Sequence, residues 1–300
     1  MIAHKLYSCL AYSCLGLSAI LSFGCATRPP TTPLNLELKA PSSTKSFVYD
    51  YFTLTQLRTF ESSQLIREKS TSGRFSVETT HLAPKPTQPE VSEVLNTAMV
   101  PALESIVRHR LRTLSKEGRI DLNNLGFPEL NEELDYSFSP QAEVLQVGDH
   151  PPTSHFYVPP IPLPDRPVST GDTWEISHGW MAPGGLPLIL RVAGIFTRLV
   201  RCPDFGWCAD IDISGDLEIP QIDTEQLIFK SLIQGRMLFA VEDGLLLWSE
   251  VHSQEEVLTS DDHQQTLSCL VGHVDFADQR CPPLQCKPKA EITLPRCLIR

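Results

Sequence analysis

The chain carries none of the short motifs that mark familiar chemistry. It has no G-x-S-x-G turn to expose a serine nucleophile, no H-E-x-x-H pair, no phosphate-cradling Walker loop and no G-x-G-x-x-G dinucleotide turn. Charged residues are sparse, at 20% of 300 positions, and acids outnumber bases to leave a formal net charge of −11. Such a surface repels phosphate backbones, so nucleic acid is not expected as a partner. The C-x2-C knuckles of zinc sites are also missing. The last six cysteines, Cys202, Cys208, Cys269, Cys281, Cys286 and Cys297, stand at other intervals, and neither a metal nor a cofactor is expected. What remains is a composition with 41% apolar residues, enough for one large domain or two modest ones.

Charge is absent altogether from residues 6–24, which follow a short, weakly basic start at residues 1–5. The apolar run ends at Leu21-Ser22-Phe23-Gly24-Cys25, and the composition then turns abruptly to Ala26-Thr27-Arg28-Pro29-Pro30-Thr31-Thr32-Pro33. This junction resembles the signal sequence of bacterial lipoproteins, in which a small residue precedes a cysteine whose thiol takes a diacylglycerol. Gly24 and Cys25 match that pattern, while Leu21 lies one place early and Ser22-Phe23 make the box a relaxed one. The resemblance implies a signal peptide over 1–24, lipid on Cys25 and a membrane-anchored protein of the cell envelope that faces the periplasm or exterior. Ala26 in place of Asp is compatible with the outer membrane. Two other readings of the same run stay open, an uncleaved anchor, since it nearly reaches the ~20 residues that span a bilayer, and an ordinary cleaved signal. All three export the chain. Residues 25–45 then read as a disordered Pro/Thr/Ser linker.

Export to an oxidising compartment makes the six later thiols disulfide candidates, with fifteen possible pairings. Cys202 and Cys208 bracket Pro203-Asp204-Phe205-Gly206-Trp207, a turn composition, and are expected to close a hairpin. Cys269, Cys281, Cys286 and Cys297 are expected to pin a Cys-rich tail, 281–300, to the sheet.

The predicted fold class is α+β, mostly antiparallel β in a curved sheet or half-barrel, with one packed amphipathic helix and a β-rich C-terminal half. In an α+β region over 46–165, aromatic and β-branched runs at 47–55 and 74–79 predict strands. A helix is expected near 90–117, broken at Pro101 and stopped by Gly118, because Leu103, Ile106, Val107, Leu111 and Leu114 recur at spacings of three and four. Its other face would carry Arg108, Arg112 and Lys116, with Glu104 one turn before Arg108, as a solvated strip. A β-rich region follows over 166–280, with strands in 171–176, 188–201, 209–213, 237–241, 245–251 and 267–276, and a hairpin turn at Glu242-Asp243-Gly244. Whether the two regions are separate domains or halves of one sheet is left open.

Residues Pro162-Leu163-Pro164-Asp165-Arg166-Pro167-Val168, followed by Gly171-Asp172-Thr173-Trp174, resemble a class of bacterial envelope lipoproteins in which a proline-valine-x-x-glycine-aspartate-x-tryptophan stretch opens the second half. Ser139-Pro140-Gln141-Ala142-Glu143-Val144-Leu145 resembles the preceding strand of that class. The resemblance implies no chemistry. From the residues themselves, Gly171-Asp172 makes a turn and Trp174 fills a core.

Catalytic candidates are thin. His150 and His155 flank prolines, Asp261-Asp262-His263 sits in a hairpin loop, and Asp210 and Asp212 share one strand face, read as the solvent face. No catalytic residue is assigned. The expectation is a non-catalytic envelope lipoprotein, held to the membrane by lipid, that binds a lipid or other hydrophobic ligand. The alternative is a structural or protein-interaction module that binds an envelope protein, and a hydrolase is the third reading.

Overall fold

The computed structural model describes residues 29–84, 106–151, 154, 161–182, 186–202, 204–220, 227–259 and 262–274. Its strands are β1 (Lys45–Glu61), β2 (Gln64–Leu82), β3 (Val107–Gly118), β4 (Glu133–Phe138), β5 (Val144–Val147), β6 (Thr173–Ala182), β7 (Leu186–Cys202), β8 (Gly206–Glu218), β9 (Leu227–Ala240), β10 (Leu245–Thr259) and β11 (His263–Val274). All eleven join one antiparallel sheet in the order β5-β4-β3-β2-β1-β11-β10-β9-β8-β7-β6. Strands consecutive in the chain are neighbours in space with one exception, and one neighbouring pair is not consecutive. β5 and β6 lie at opposite edges, and β1 pairs β11 in the middle, from Tyr49 against Val274 to Phe60 against His263. The two regions that the sequence left open are therefore halves of one sheet.

Tight turns set the register. Ser62 and Ser63 both have positive φ, the pattern of a two-residue type I′ turn whose twist suits flanking strands. The β9–β10 turn closes as expected, with Gly244 donating its N–H to the Ala240 carbonyl at 2.9 Å. Cys202 and Cys208 are disulfide-bonded across the β7–β8 turn, as the bracketed turn composition predicted.

The sheet has one face that carries the main core. Trp174 and Ile176 of β6, Leu190, Val192 and Phe196 of β7, Ala209, Ile211 and Ile213 of β8, and Met237 and Phe239 of β9 pack into one cluster. Val107 and Ala142, from the opposite end of the sheet, belong to the same cluster, so the sheet curls until its two flanks share a core. The joint between them is Leu34, Leu36 and Leu38, a short strap of alternating leucines buried to 8%, 1% and 6% exposure. Leu34 exchanges backbone hydrogen bonds with Val168 at 2.7 and 2.9 Å, and the Leu38 N–H donates to the Pro140 carbonyl at 2.7 Å. The linker expected over 25–45 thus gives way to folded chain by Leu34. The Trp174 indole fills this core as expected and donates to the Pro162 carbonyl at 3.1 Å. It crosses directly over Gly194, where a Cβ would lie inside the ring, so only glycine admits that packing.

The α+β expectation is overturned. Among the described residues no α-helix occurs, and the helical pieces reduce to a 3-10 turn at Asn123–Leu125. From Val107 to its stop at Gly118, the expected helix is instead strand β3, paired with β2 on one side and β4 on the other. The reason lies in a pattern that fits two periods. Val107, His109, Leu111 and Thr113 alternate toward the core, and Leu114, counted toward a helical stripe, is 42% exposed. Two neighbouring strands satisfy the backbone that a helix would have satisfied internally. Arg108 and Arg112 still share a face as expected, now the outward face of a strand, together with Arg110, which grips Asp135 through two hydrogen bonds at 2.7 and 3.0 Å, while Lys116 pairs with Glu129 at 2.7 Å. Residues 90–105, with Pro101 and Glu104, lie outside the described residues.

Candidate functional site

The core face does not end where the bulky core ends. Past the row that aligns Ile211, Met237, Ser249, Gly272, Tyr51 and Phe75, register places Ile213, Gly235, Val251, Leu270, Thr53 and Gly73 side by side on the same face. The next row is Gly215, Ile233, Ser253, Ser268, Thr55 and Thr71, and every member is half-buried. Small side chains make this row a candidate trough, closed at its β8 edge where a Cβ on Gly215 would run into the Arg191 carbonyl, and the hydroxyls are used locally: Thr53 Oγ1 donates to the Cys269 carbonyl at 3.1 Å, and the Ser268 and Thr55 hydroxyls lie 3.4 Å apart. Aliphatic Ile233, Val251 and Leu270 flank the trough. One row further, Ser231, Glu255, Thr266 and Leu57 are aligned. Burial raises the Glu255 carboxyl above its ordinary value, partly offset by hydrogen bonds from Ser253 and from its own backbone.

Two further sets of ionisable groups are drawn together. His81 of β2 and His109 of β3 are direct cross-strand partners, both buried, with ring centroids 3.9 Å apart. Burial lowers the His81 imidazole to about 4, helped by Lys45, and pushes His109 well below its usual range. On the face opposite the main core, Asp210 is fully buried between Arg236 and Arg198, which donate from their Nε atoms at 2.6 and 2.9 Å. Burial pushes that carboxyl up, and the two guanidinium groups outweigh it to hold it below the ordinary carboxylate range.

No family model matches the chain, and no curated protein matches it. Among solved structures it is weakly similar to lipovitellin, in a structure described as showing lipid–protein interactions, at 9% identity and a TM-score of 0.40. That likeness covers 78% of this chain and 25% of the other, so the chain spans about a quarter of the lipovitellin chain. A second likeness is to DynF of the dynemicin biosynthesis pathway of Micromonospora chersina, at 7% identity and a TM-score of 0.19, over 86% of this chain and 96% of that one.

The residues singled out in the sequence do not converge. Asp210 turns away from solvent into its arginine clasp, contrary to the solvent-face reading, while Asp212 beside it is exposed. His263 stacks on Phe60 at 4.7 Å. His150 is exposed. Cys269 is disulfide-bonded. Cys25, His155, Asp261, Cys281, Cys286 and Cys297 lie outside the described residues. The trough residues and the His81–His109 pair were missed. The only sequence signal of the trough was the alternation of Ser, Thr and Gly with larger residues along β1, β9, β10 and β11.

Proposed function

We propose that the chain is an envelope lipoprotein, anchored through lipid on Cys25, whose sheet takes up an elongated hydrophobic ligand in the trough beyond its core without catalysing a reaction. The observation that carries this reading is the row Gly215-Ile233-Ser253-Ser268-Thr55-Thr71, half-buried on the same face as the filled core. Ser253, Ser268 and Thr55, whose hydroxyls are engaged locally, offer methylene-compatible walls, as an acyl chain requires. Glu255 and, beside Leu57 on β2, Lys69 sit at the outer end, where a polar headgroup would meet water. The anchor holds this trough close to a membrane surface.

Purified mature protein is expected to release a co-purifying lipid on extraction and mass spectrometry, and to take up a fluorescent fatty acid. Ser253→Trp and Ser268→Trp, which fill the trough, should abolish uptake. No extracted lipid and no uptake would remove the ligand. Labelling of cells with radioactive palmitate tests the anchor separately: Cys25→Ser is expected to lose the label, and an unchanged label would remove the lipid on Cys25.

A second reading, a protein-interaction module, draws on Ile228 and Leu232, 49% and 48% exposed on the opposite face of β9. Crosslinking through those two positions would trap an envelope protein if it holds.

A further inference from the structure

Two histidines face each other across β2 and β3 in a setting built for the neutral ring. Phe47 stands edge-on to His81 at 5.3 Å and Phe138 packs on His109 at 5.1 Å, so the pair is walled by aromatic carbon. The Nε2 atoms of both rings are buried and have no hydrogen-bond partner among the described residues. The groups facing them offer no counter-charge. Lys45 of β1, directly opposite His81, adds a positive one. Tyr136 of β4, opposite His109, commits its hydroxyl to the Gly126 carbonyl at 2.5 Å. Among the described residues no third His, Cys, Asp or Glu stands close enough to complete a metal site with them.

We infer that His81 and His109 form an acid-labile latch that fastens β3, and with it β4 and β5, to the rest of the sheet. Protonation of either ring puts an unpaired charge into an apolar slot, and protonation of both sets two cations in ring contact, 3.9 Å apart, beside Lys45. The open form, in which the rings reach water, binds protons more readily than the closed one. Closure is therefore complete above the ordinary imidazole value of 6.5 and weakens as pH falls from there toward the His81 value of about 4. The site lies at the end of the β2–β3 ladder, next to the Leu82–Arg108 pair, so opening begins at a terminus and withdraws Val107 from the shared core while the β6–β9 ladders stay paired.

Backbone amide hydrogen exchange of the full-length protein, expressed as protection factors so that the intrinsic pH dependence cancels, tests it. Between pH 7.5 and 4.5, amides of residues 79–82 and 107–111 should lose protection about tenfold or more relative to those of β8. In the double variant His81→Leu/His109→Phe the differential should fall below about twofold. Equal loss throughout the sheet, no loss, or an undiminished differential in the variant would overturn the latch. Imidazole Cε1 hydrogen exchange on the unmodified protein decides the matter if the variant does not fold. Half-points for both rings below about pH 5 support it, and half-points near 6.5 refute it.

Discussion

The strap at residues 34–38 makes a quantitative prediction, because Leu36 is 1% exposed and touches a core shared by both flanks of the sheet. Leu36→Ala removes three carbon atoms, each worth about 0.8 kcal/mol on burial, and leaves a cavity that the surrounding core cannot close without moving. The sum is about 3 kcal/mol. For a folded unit of this size, each kcal/mol lowers Tm by about 2–4 °C, so the variant should melt about 6–12 °C below the parent. The control is Leu145→Ala, at a leucine 44% exposed on β5, which should shift Tm by no more than about 2 °C. Differential scanning calorimetry of both proteins at neutral pH makes the comparison. Equal melting temperatures for the two variants would mean that the strap is not docked in solution, and the account of how the flanks share a core would fall.

Three other outcomes are expected. Asp210→Asn leaves two partly exposed arginines around a buried amide and should cost about 1–3 kcal/mol at pH 7 in urea unfolding. Because the folded carboxyl titrates below its unfolded value, that gap is complete above about pH 4 and should close as pH falls through the folded value; a gap independent of pH would refute the clasp. Gly194→Ala drives a Cβ into the Trp174 ring and should cost about 1–3 kcal/mol with a shift in indole emission, whereas unchanged emission would contradict the packing. Cys202→Ser/Cys208→Ser opens a loop with a sequence separation of 6 and should lose about 2 kcal/mol by denaturant titration, against no loss if the bond contributes nothing in solution.

The strands themselves were legible where β-branched and aromatic residues run together, as along 47–55 and 245–251, because one face of an antiparallel sheet must bury them. The hairpin disulfide was legible for a different reason, since a short loop brings its own ends together without help from the rest of the chain. What escaped notice depends on register between distant strands. His81 and His109 stand 28 positions apart in sequence, and nothing in either neighbourhood reveals that pairing makes them partners. Asp210 read as a surface acid because Arg198 and Arg236 sit on separate strands that flank it only after β7 and β9 have aligned. The leucines of the strap were hidden for a third reason, their setting among Pro, Thr and Ser, which carries the composition of a tether. The helix was misread because Val107-x-His109-x-Leu111 counts as alternation only when a histidine is allowed to behave as an apolar residue, and its burial beside aromatic rings makes it one.

The seam between β1 and β11 sets the order in which the molecule can be finished. Thr53 and the carbonyl it meets on Cys269 are 216 residues apart, whereas the other ladders join strands that are consecutive in the chain. Two meanders can zip locally as soon as their hairpins exist, but β1 must keep a bare flank until the last strand arrives. Until β11 arrives, the β1 backbone from Tyr49 to Phe60 is therefore a defined stretch of open edge, the part of the unfinished molecule most able to pair with a second chain.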